Sequence, residues 1–107
     1  MNRILLLSAL GLCAWNFAFA ADAQKGKGLV TEKGCVACHG ANGESPVSPD
    51  NPKLAGQHAD YLVKALSDYK SGKRKNPIMS GMVAGLSTED IENLAAWFST
   101  QHGLEVK

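Results

Sequence analysis

The sequence shows no excess of charge of one sign and no long run of like charges. Eleven Lys and Arg side chains are matched by ten Asp and Glu in 107 residues, for a formal net charge of +1. A nucleic-acid-binding protein or a polybasic membrane binder needs a concentrated basic surface, so the composition argues against both classes. The length supports one small domain, without internal repeats or low-complexity segments.

Aromatic residues are also few, and no run of alternating β-branched residues predicts a strand. Beyond the first twenty residues only four aromatic side chains remain, namely Tyr61, Tyr69, Trp97 and Phe98. A chain this short buries too small a fraction of its surface to be stable on so modest a core. A bound group that completes the core would resolve this, and the chain without it should be poorly folded.

Residues 1–20 have the features of a secretory signal peptide. A positive charge at Arg3 precedes an apolar run, and small residues at Ala18 and Ala20 suit a signal peptidase. We therefore expect cleavage after Ala20, export to the periplasm and a mature domain over residues 21–107. The alternative is an uncleaved membrane anchor, but the run is shorter than the about 20 apolar residues that span a bilayer.

The mature chain keeps two of the three cysteines, in the segment Cys35-Val36-Ala37-Cys38-His39. C-x-x-C-H is the attachment sequence of haem c, in which both sulfurs form thioethers and the histidine binds the iron. Side chains at i and i+3 of a helical turn point the same way, so both sulfurs can reach one edge of a porphyrin. The motif predicts one covalent haem, with Cys35 and Cys38 as its attachment points and His39 as an axial ligand.

Three other interpretations of the cysteine pair remain open on the sequence. A redox dithiol of the thioredoxin kind is expected beside a βαβ pattern, which is missing here. A structural disulfide would close a loop of only two residues. A zinc site needs a fourth ligand, and His58 and His102 lack the spacing of a zinc finger.

Hydrophobic spacing and boundary residues predict three main helices in the mature chain. The first covers residues 22–33, and the second extends from Tyr61 to Lys70 and stops at Gly72. The third begins after Ser87 as N-cap and ends near Gly103. Its apolar stripe consists of Ile91, Leu94, Ala95 and Phe98.

The segments 40–57 and 76–86 are rich in glycine and proline and are predicted to be loops. The second contains Met79 and Met82, and methionine is one of the residues that ligate haem iron opposite a histidine. The composition does not choose between the two methionines. An iron with no second protein ligand could instead bind small molecules or act as a peroxidase.

Several features follow the C-x-x-C-H motif in a fixed order through nearly all of residues 22–101. They are Pro46, Lys53-Leu54-Ala55-Gly56-Gln57, Asn76-Pro-Ile-Met79-Ser-Gly-Met82 and Leu86-Ser-Thr-Glu-Asp-Ile91. This ordered set resembles the bacterial class I c-type cytochromes, and in particular one haem domain of the two-domain dihaem cytochromes c and their single-domain relatives. The resemblance implies an all-α, small cytochrome c fold of three to four short helices wrapped around the haem.

The resemblance also implies roles for individual residues. Met79 would be the second axial ligand, with Met82 packed beside the pocket. The carbonyl of Pro46 would accept a hydrogen bond from Nδ1 of His39 and orient its ring. The first helix would pack on the last, with either Gly26 or Gly28 against Trp97 or Phe98.

The expected function is that of a monomeric electron carrier rather than an enzyme. Its partners would be redox proteins such as an oxidase, a cytochrome complex or a dehydrogenase, docked transiently and partly by charge. A haem subunit or docking domain of a larger membrane complex is the alternative. Four basic residues follow the second helix, namely Lys70, Lys73, Arg74 and Lys75. They could form the docking surface, neutralise a haem propionate or simply be solvent-exposed charges at the helix end.

Overall fold

A computed structural model describes residues 20–102 of the chain. Residues 1–19 of the expected signal peptide therefore lie outside the described part. The described residues contain helices and no strand, so the all-α prediction is confirmed. The helices are α1 (Ala23–Glu32), α2 (Val36–His39), α3 (Ala59–Ser71), α4 (Pro77–Val83) and α5 (Thr88–Ser99).

The first and last helices cross in close contact, as expected. A Cβ atom at Gly26 would lie 2.0 Å from the carbonyl oxygen of Asn93 and 3.0 Å from Cβ of Trp97, whereas Gly28 has open space. Gly26 is therefore the glycine that lets α1 and α5 approach each other. The crossing is also fixed by a hydrogen bond, because the buried Asn93 side chain accepts the N–H of Asp22 at 2.7 Å.

Helix α5 supplies four of the eight buried residues of the hydrophobic core cluster and has the predicted start. Ser87 accepts the N–H of Asp90, and the Asp90 carboxylate accepts the N–H of Ser87, which forms a capping box. The whole predicted apolar stripe is buried. The helix ends at Ser99 rather than near Gly103, and the N–H of Thr100 turns back to the carbonyl of Trp97.

One predicted loop is a helix, because the segment 76–86 contains α4. The side-chain oxygen of Asn76 accepts the N–H groups of Ile78 and Met79 at 3.0 and 3.1 Å and so caps the helix. Pro77 is at the first turn, where its missing N–H costs nothing. The proline that we interpreted as a helix breaker is therefore at the start of a helix, and residues 20–102 contain five helices in place of the three or four expected.

The other predicted loop is confirmed, since residues 40–57 form only turns and bends. Their backbone is nevertheless tied down, because the Gly43 carbonyl accepts the N–H groups of Leu54 and Ala55. The N–H of Gly56 donates to the carbonyl of Phe98 at 2.9 Å. This segment thus encloses one side of the space between α2 and α3. Among residues 20–102, no helix combines the length and apolar character that a membrane crossing requires.

Candidate functional site

The C-x-x-C-H segment forms the short helix α2 and the turn before it. Gly34 has a φ of +78°, a conformation that side chains disfavour, and this lets the chain turn sharply between α1 and α2. The N–H groups of Cys38 and His39 both donate to the carbonyl of Cys35. Because Cys35 and Cys38 lie on one helical turn, both half-buried side chains line the same cavity.

His39 is 6% exposed and is held in one orientation. Its Nδ1 lies 2.9 Å from the carbonyl oxygen of Pro52. A carbonyl can only accept, so Nδ1 carries the proton and donates, which leaves the lone pair on Nε2 for a metal ion. The ring lines the same cavity as the two cysteines.

The acceptor for His39 corrects our expectation, which assigned this role to Pro46. The carbonyl of Cys38 accepts the N–H of Val47 at 3.1 Å and the side-chain amide of Asn51 at 3.1 Å. These two bonds fasten the loop to α2 and bring the backbone directly after Asn51 against the ring. Pro52 is therefore the residue whose carbonyl meets Nδ1.

The cavity between α2, α3, α4 and the loop has a volume of about 420 Å³. This lies in the range of sites that enclose a small molecule or cofactor. Its walls are mostly apolar, as a porphyrin ring requires, and charged groups lie among them. The apolar walls include Leu54, Leu62, Ala65, Leu66, Val83, Leu86, Leu94 and Phe98.

Both candidate methionines line this cavity, but their surroundings differ. Met79 is half-buried and packs against the hydrophobic core. Met82 is 37% exposed, and its Cε would lie 3.2 Å from a Cβ atom at Gly34. Met82 thus covers the turn before Cys35, whereas Met79 is held by the core.

The chemistry of the donor set fits a covalently bound haem. Burial raises the pKa of the Cys35 thiol, against a backbone hydrogen bond that lowers it, and the neighbouring Cys38 raises it further. Burial at this site therefore favours an uncharged sulfur, as in a thiol, a disulfide or a thioether, over a thiolate. The structure joins neither cysteine in a disulfide. Among the described residues, no group of three or more His, Cys, Asp or Glu side chains could hold a metal ion.

Sequence reasoning missed two residues of this site, Asn51 and Pro52. Neither belongs to a motif with a known chemical role, and both act through contacts with α2. The only local signal was the turn-forming Asn-Pro composition of the loop. The histidines outside the motif, His58 and His102, are exposed and are not among the cavity residues.

An all-α domain with a C-x-x-C-H turn at an apolar cavity defines the class of c-type haem proteins. Comparison with known families agrees, since the family model for cytochrome c matches residues 23–101. The chain belongs to the cytochrome c family. The family match supports one covalently bound haem c in this domain.

The chain is similar to cytochrome c4 of Stutzerimonas stutzeri, with 45% identity over 114 residues that cover 96% of this chain and 52% of that protein. It is 41% identical to cytochrome c-554(548) of Halomonas halodenitrificans over 85 residues, 77% of this chain and 99% of that protein. The crystal structure of reduced recombinant cytochrome c4 from Pseudomonas stutzeri superposes with a TM-score of 0.72. It is 44% identical and the match covers 79% of this chain and 48% of that one. The chain thus spans about half the length of its cytochrome c4 relatives.

Proposed function

We propose that this chain is a periplasmic carrier of single electrons in which His39 and Met79 hold the haem iron from opposite sides. When bound, the haem supplies an iron that alternates between the ferrous and ferric states. Cys35 and Cys38 tether the ring through thioethers, and both side chains lie on the cavity wall. The observation that carries the proposal is the His39–Pro52 hydrogen bond, which orients Nε2 of a buried imidazole for a metal.

Met79 is the better distal ligand because its surroundings would hold it in place. It lies in the first turn of α4, whose start is fixed by Asn76, and it packs against the core. A thioether and an imidazole together favour the ferrous state more than two imidazoles do, and so raise the reduction potential. A haem whose iron was held by both residues would have no open position for a substrate, so we propose a carrier and not an enzyme.

Partner redox proteins would dock where the haem comes nearest to the surface. Three exposed apolar side chains lie at the cavity, Ile78 at 69% exposure, Tyr61 at 49% and Met82 at 37%. Such a rim suits brief, nonpolar contact with an oxidase, a cytochrome complex or a dehydrogenase. We propose that the carrier itself is a monomer, which sedimentation of the purified protein tests.

Expression of the full chain in a bacterium that attaches haem c tests the proposal. The product should be red, and its intact mass should equal residues 21–107 plus one haem. Its ferric spectrum should contain the charge-transfer band of a methionine–iron bond. A C35A/C38A double variant should be colourless after acid-solvent extraction. A red product without the methionine band would instead support an open, ligand-binding iron, and a colourless native product would refute the proposal.

A further inference from the structure

Two hydrogen bonds join the loop to α2 side by side. In the first, Nδ1 of His39 lies 2.9 Å from the carbonyl oxygen of Pro52. In the second, the side-chain amide of Asn51 donates to the carbonyl of Cys38 at 3.1 Å. Cys38 directly precedes His39, and Asn51 directly precedes Pro52. The same two short segments therefore share both bonds, and a displacement at one bond must also displace the other.

The position of the Pro52 carbonyl is set by the residues on either side of it. Proline has no backbone N–H, so Pro52 cannot anchor itself through a main-chain donor. It is also exposed, so burial does not hold it in place. On its C-terminal side, the N–H groups of Leu54 and Ala55 donate to the carbonyl of Gly43. On its N-terminal side, the anchor is the side chain of Asn51.

Asn51 is itself held in place by a turn. Its N–H donates to the carbonyl of Ser48 at 3.0 Å, and the N–H of Asp50 donates to the hydroxyl oxygen of Ser48 at 3.3 Å. Its half-buried side chain lines the cavity. The carbonyl of Cys38 can only accept, so it is the amide nitrogen of Asn51 that faces it. The bond thus requires a donor at residue 51.

The hydrogen bond from Nδ1 acts on a bound iron through the imidazole ring. An acceptor held close to the Nδ1 proton makes Nε2 of His39 a more basic metal ligand. A more basic ligand stabilises ferric iron more than ferrous iron, and hydrogen bonding to the ligands is one of the ways in which a protein sets the potential of a haem. The strength of this effect depends on how firmly the Pro52 carbonyl is held.

We propose that Asn51 is a positioning residue that holds the Pro52 carbonyl against His39 and so lowers the reduction potential of the haem iron. The inference rests on the proposed function and adds to it a side chain that acts on the iron through two hydrogen bonds. The N–H of Val47 also donates to the Cys38 carbonyl, at 3.1 Å. This main-chain bond remains when Asn51 is replaced, so the loop stays attached to α2 while the side-chain anchor is lost.

The first measurement is the reduction potential of haem-loaded Asn51→Ala, which lacks the donor. The potential should rise, and at a fixed applied potential the ratio of ferrous to ferric protein should increase about two- to tenfold, the range that corresponds to the net energy of one hydrogen bond. Removal of a half-buried side chain also admits water, which stabilises the ferric charge and lowers the potential. The sign of the shift therefore separates loss of the anchor from entry of water.

The second measurement is the exchange of the Nδ1 proton of His39 with solvent, followed by nuclear magnetic resonance in the diamagnetic ferrous protein. Asn51→Ala should exchange about two- to tenfold faster than the native protein, because the bond to Pro52 opens more often. Asn51→Asp keeps the shape of the side chain and loses the donor, since an ionised carboxylate only accepts. It should exchange at least as fast as Asn51→Ala, and a native exchange rate in Asn51→Asp would overturn the inference.

The matched control is Asn42→Ala, because Asn42 is an exposed asparagine of the same loop and is not among the cavity residues. Its potential and its exchange rate should equal the native values. A native or lower potential in Asn51→Ala overturns the inference, and so does an equal shift in Asn42→Ala. The haem mass and the methionine–iron band are recorded on every protein. A native protein without haem or without the band contradicts the proposed function, whereas a red native protein with the band and no effect of Asn51→Ala contradicts this inference alone.

Discussion

The ammonium group of Lys70, at the end of α3, donates a hydrogen bond to the backbone carbonyl of Leu86. Leu86 follows α4, so this contact ties the segment that carries both methionines to α3. At its other end the same segment is fixed by the Asn76 cap. Met79, the proposed distal ligand, thus lies between two anchors, the Lys70–Leu86 hydrogen bond and the Asn76 cap. Each anchor can be removed by a separate substitution.

The Lys70 anchor is tested by Lys70→Met, which keeps an apolar stem and removes the donor. A hydrogen bond from a charged group contributes about 1.5–3 kcal/mol to stability. Without it, the segment that contains α4 should detach from α3 at a lower temperature than that at which the rest of the fold unfolds. The methionine–iron band should therefore melt before the far-ultraviolet circular dichroism does. Lys73→Met is the control and should keep the two transitions together. Coincident transitions in Lys70→Met would show that the contact does not hold the segment.

The Asn76 anchor is tested by Asn76→Ala, with Asn76→Asp as the conservative variant. Loss of the cap should lower the free energy of unfolding by about 1 kcal/mol, because two N–H groups at the start of α4 lose their acceptor. Aspartate can accept the same bonds and should retain most of the stability. Chemical denaturation of the haem-loaded proteins measures the difference. Equal losses in both variants would argue against a capping role.

Met79→Leu and Met82→Leu distinguish the two candidate ligands. Each exchange roughly conserves volume and should change stability by less than about 1.5 kcal/mol through packing alone. Met79→Leu should abolish the methionine–iron band and lower the reduction potential, whereas Met82→Leu should retain the band. The reverse result would assign the ligand to Met82.

Gly26→Ala and Gly28→Ala form a matched pair on α1. At Gly26 the new methyl group would overlap the Asn93 carbonyl, so α1 and α5 must separate, at a cost of about 3 kcal/mol. At Gly28 nothing lies within 4 Å, and the gain in helix propensity should stabilise the protein by up to about 1 kcal/mol. Thermal denaturation should therefore show a lower melting temperature for Gly26→Ala and a higher one for Gly28→Ala than for the native protein. A neutral Gly26→Ala would contradict the close crossing.

Asp68 provides a pH-dependent test on the surface of α3. Its pKa is lowered mainly by the hydrogen bond from Lys64, with smaller contributions from the charges of Lys64, Lys73 and Arg74. The ionised form is thus favoured by folding, so the stabilisation is present above the ordinary pKa of 3.8 and is lost as the pH falls through the lower native pKa. Asp68→Asn should therefore melt below the native protein at pH 7, and the difference should vanish in acid. Lys64→Met should show the same loss, and a difference independent of pH would exclude the ion pair as its cause.

The sequence predicts those parts of the molecule whose cause is local. The apolar stripe and the N-cap of α5 can be predicted from the spacing of its own residues, and so can the turn that carries Cys35 and Cys38. Helix α4 was not predicted because Pro77 and Gly81 are residues that commonly interrupt helices. Only the structure shows that the Asn76 side chain accepts two N–H groups and so starts a helix at Pro77.

The remaining details depend on contacts between distant segments. Gly26 and Gly28 are equivalent in the sequence, and only the position of Asn93 on α5 distinguishes them. In the same way, the choice of Pro52 over Pro46 depends on where Asn51 and Val47 attach to the Cys38 carbonyl. Neither outcome has a signature in the neighbouring residues.

The imidazole of His39 takes its orientation from a main-chain oxygen and not from a side chain. Replacement of the amino acid at position 52 leaves that oxygen in the polypeptide, so point substitutions there should be tolerated by the iron site. A change in the number of residues between Gly40 and Pro52 would move the oxygen away from the ring. The haem pocket should therefore tolerate amino-acid substitutions in this loop better than insertions or deletions.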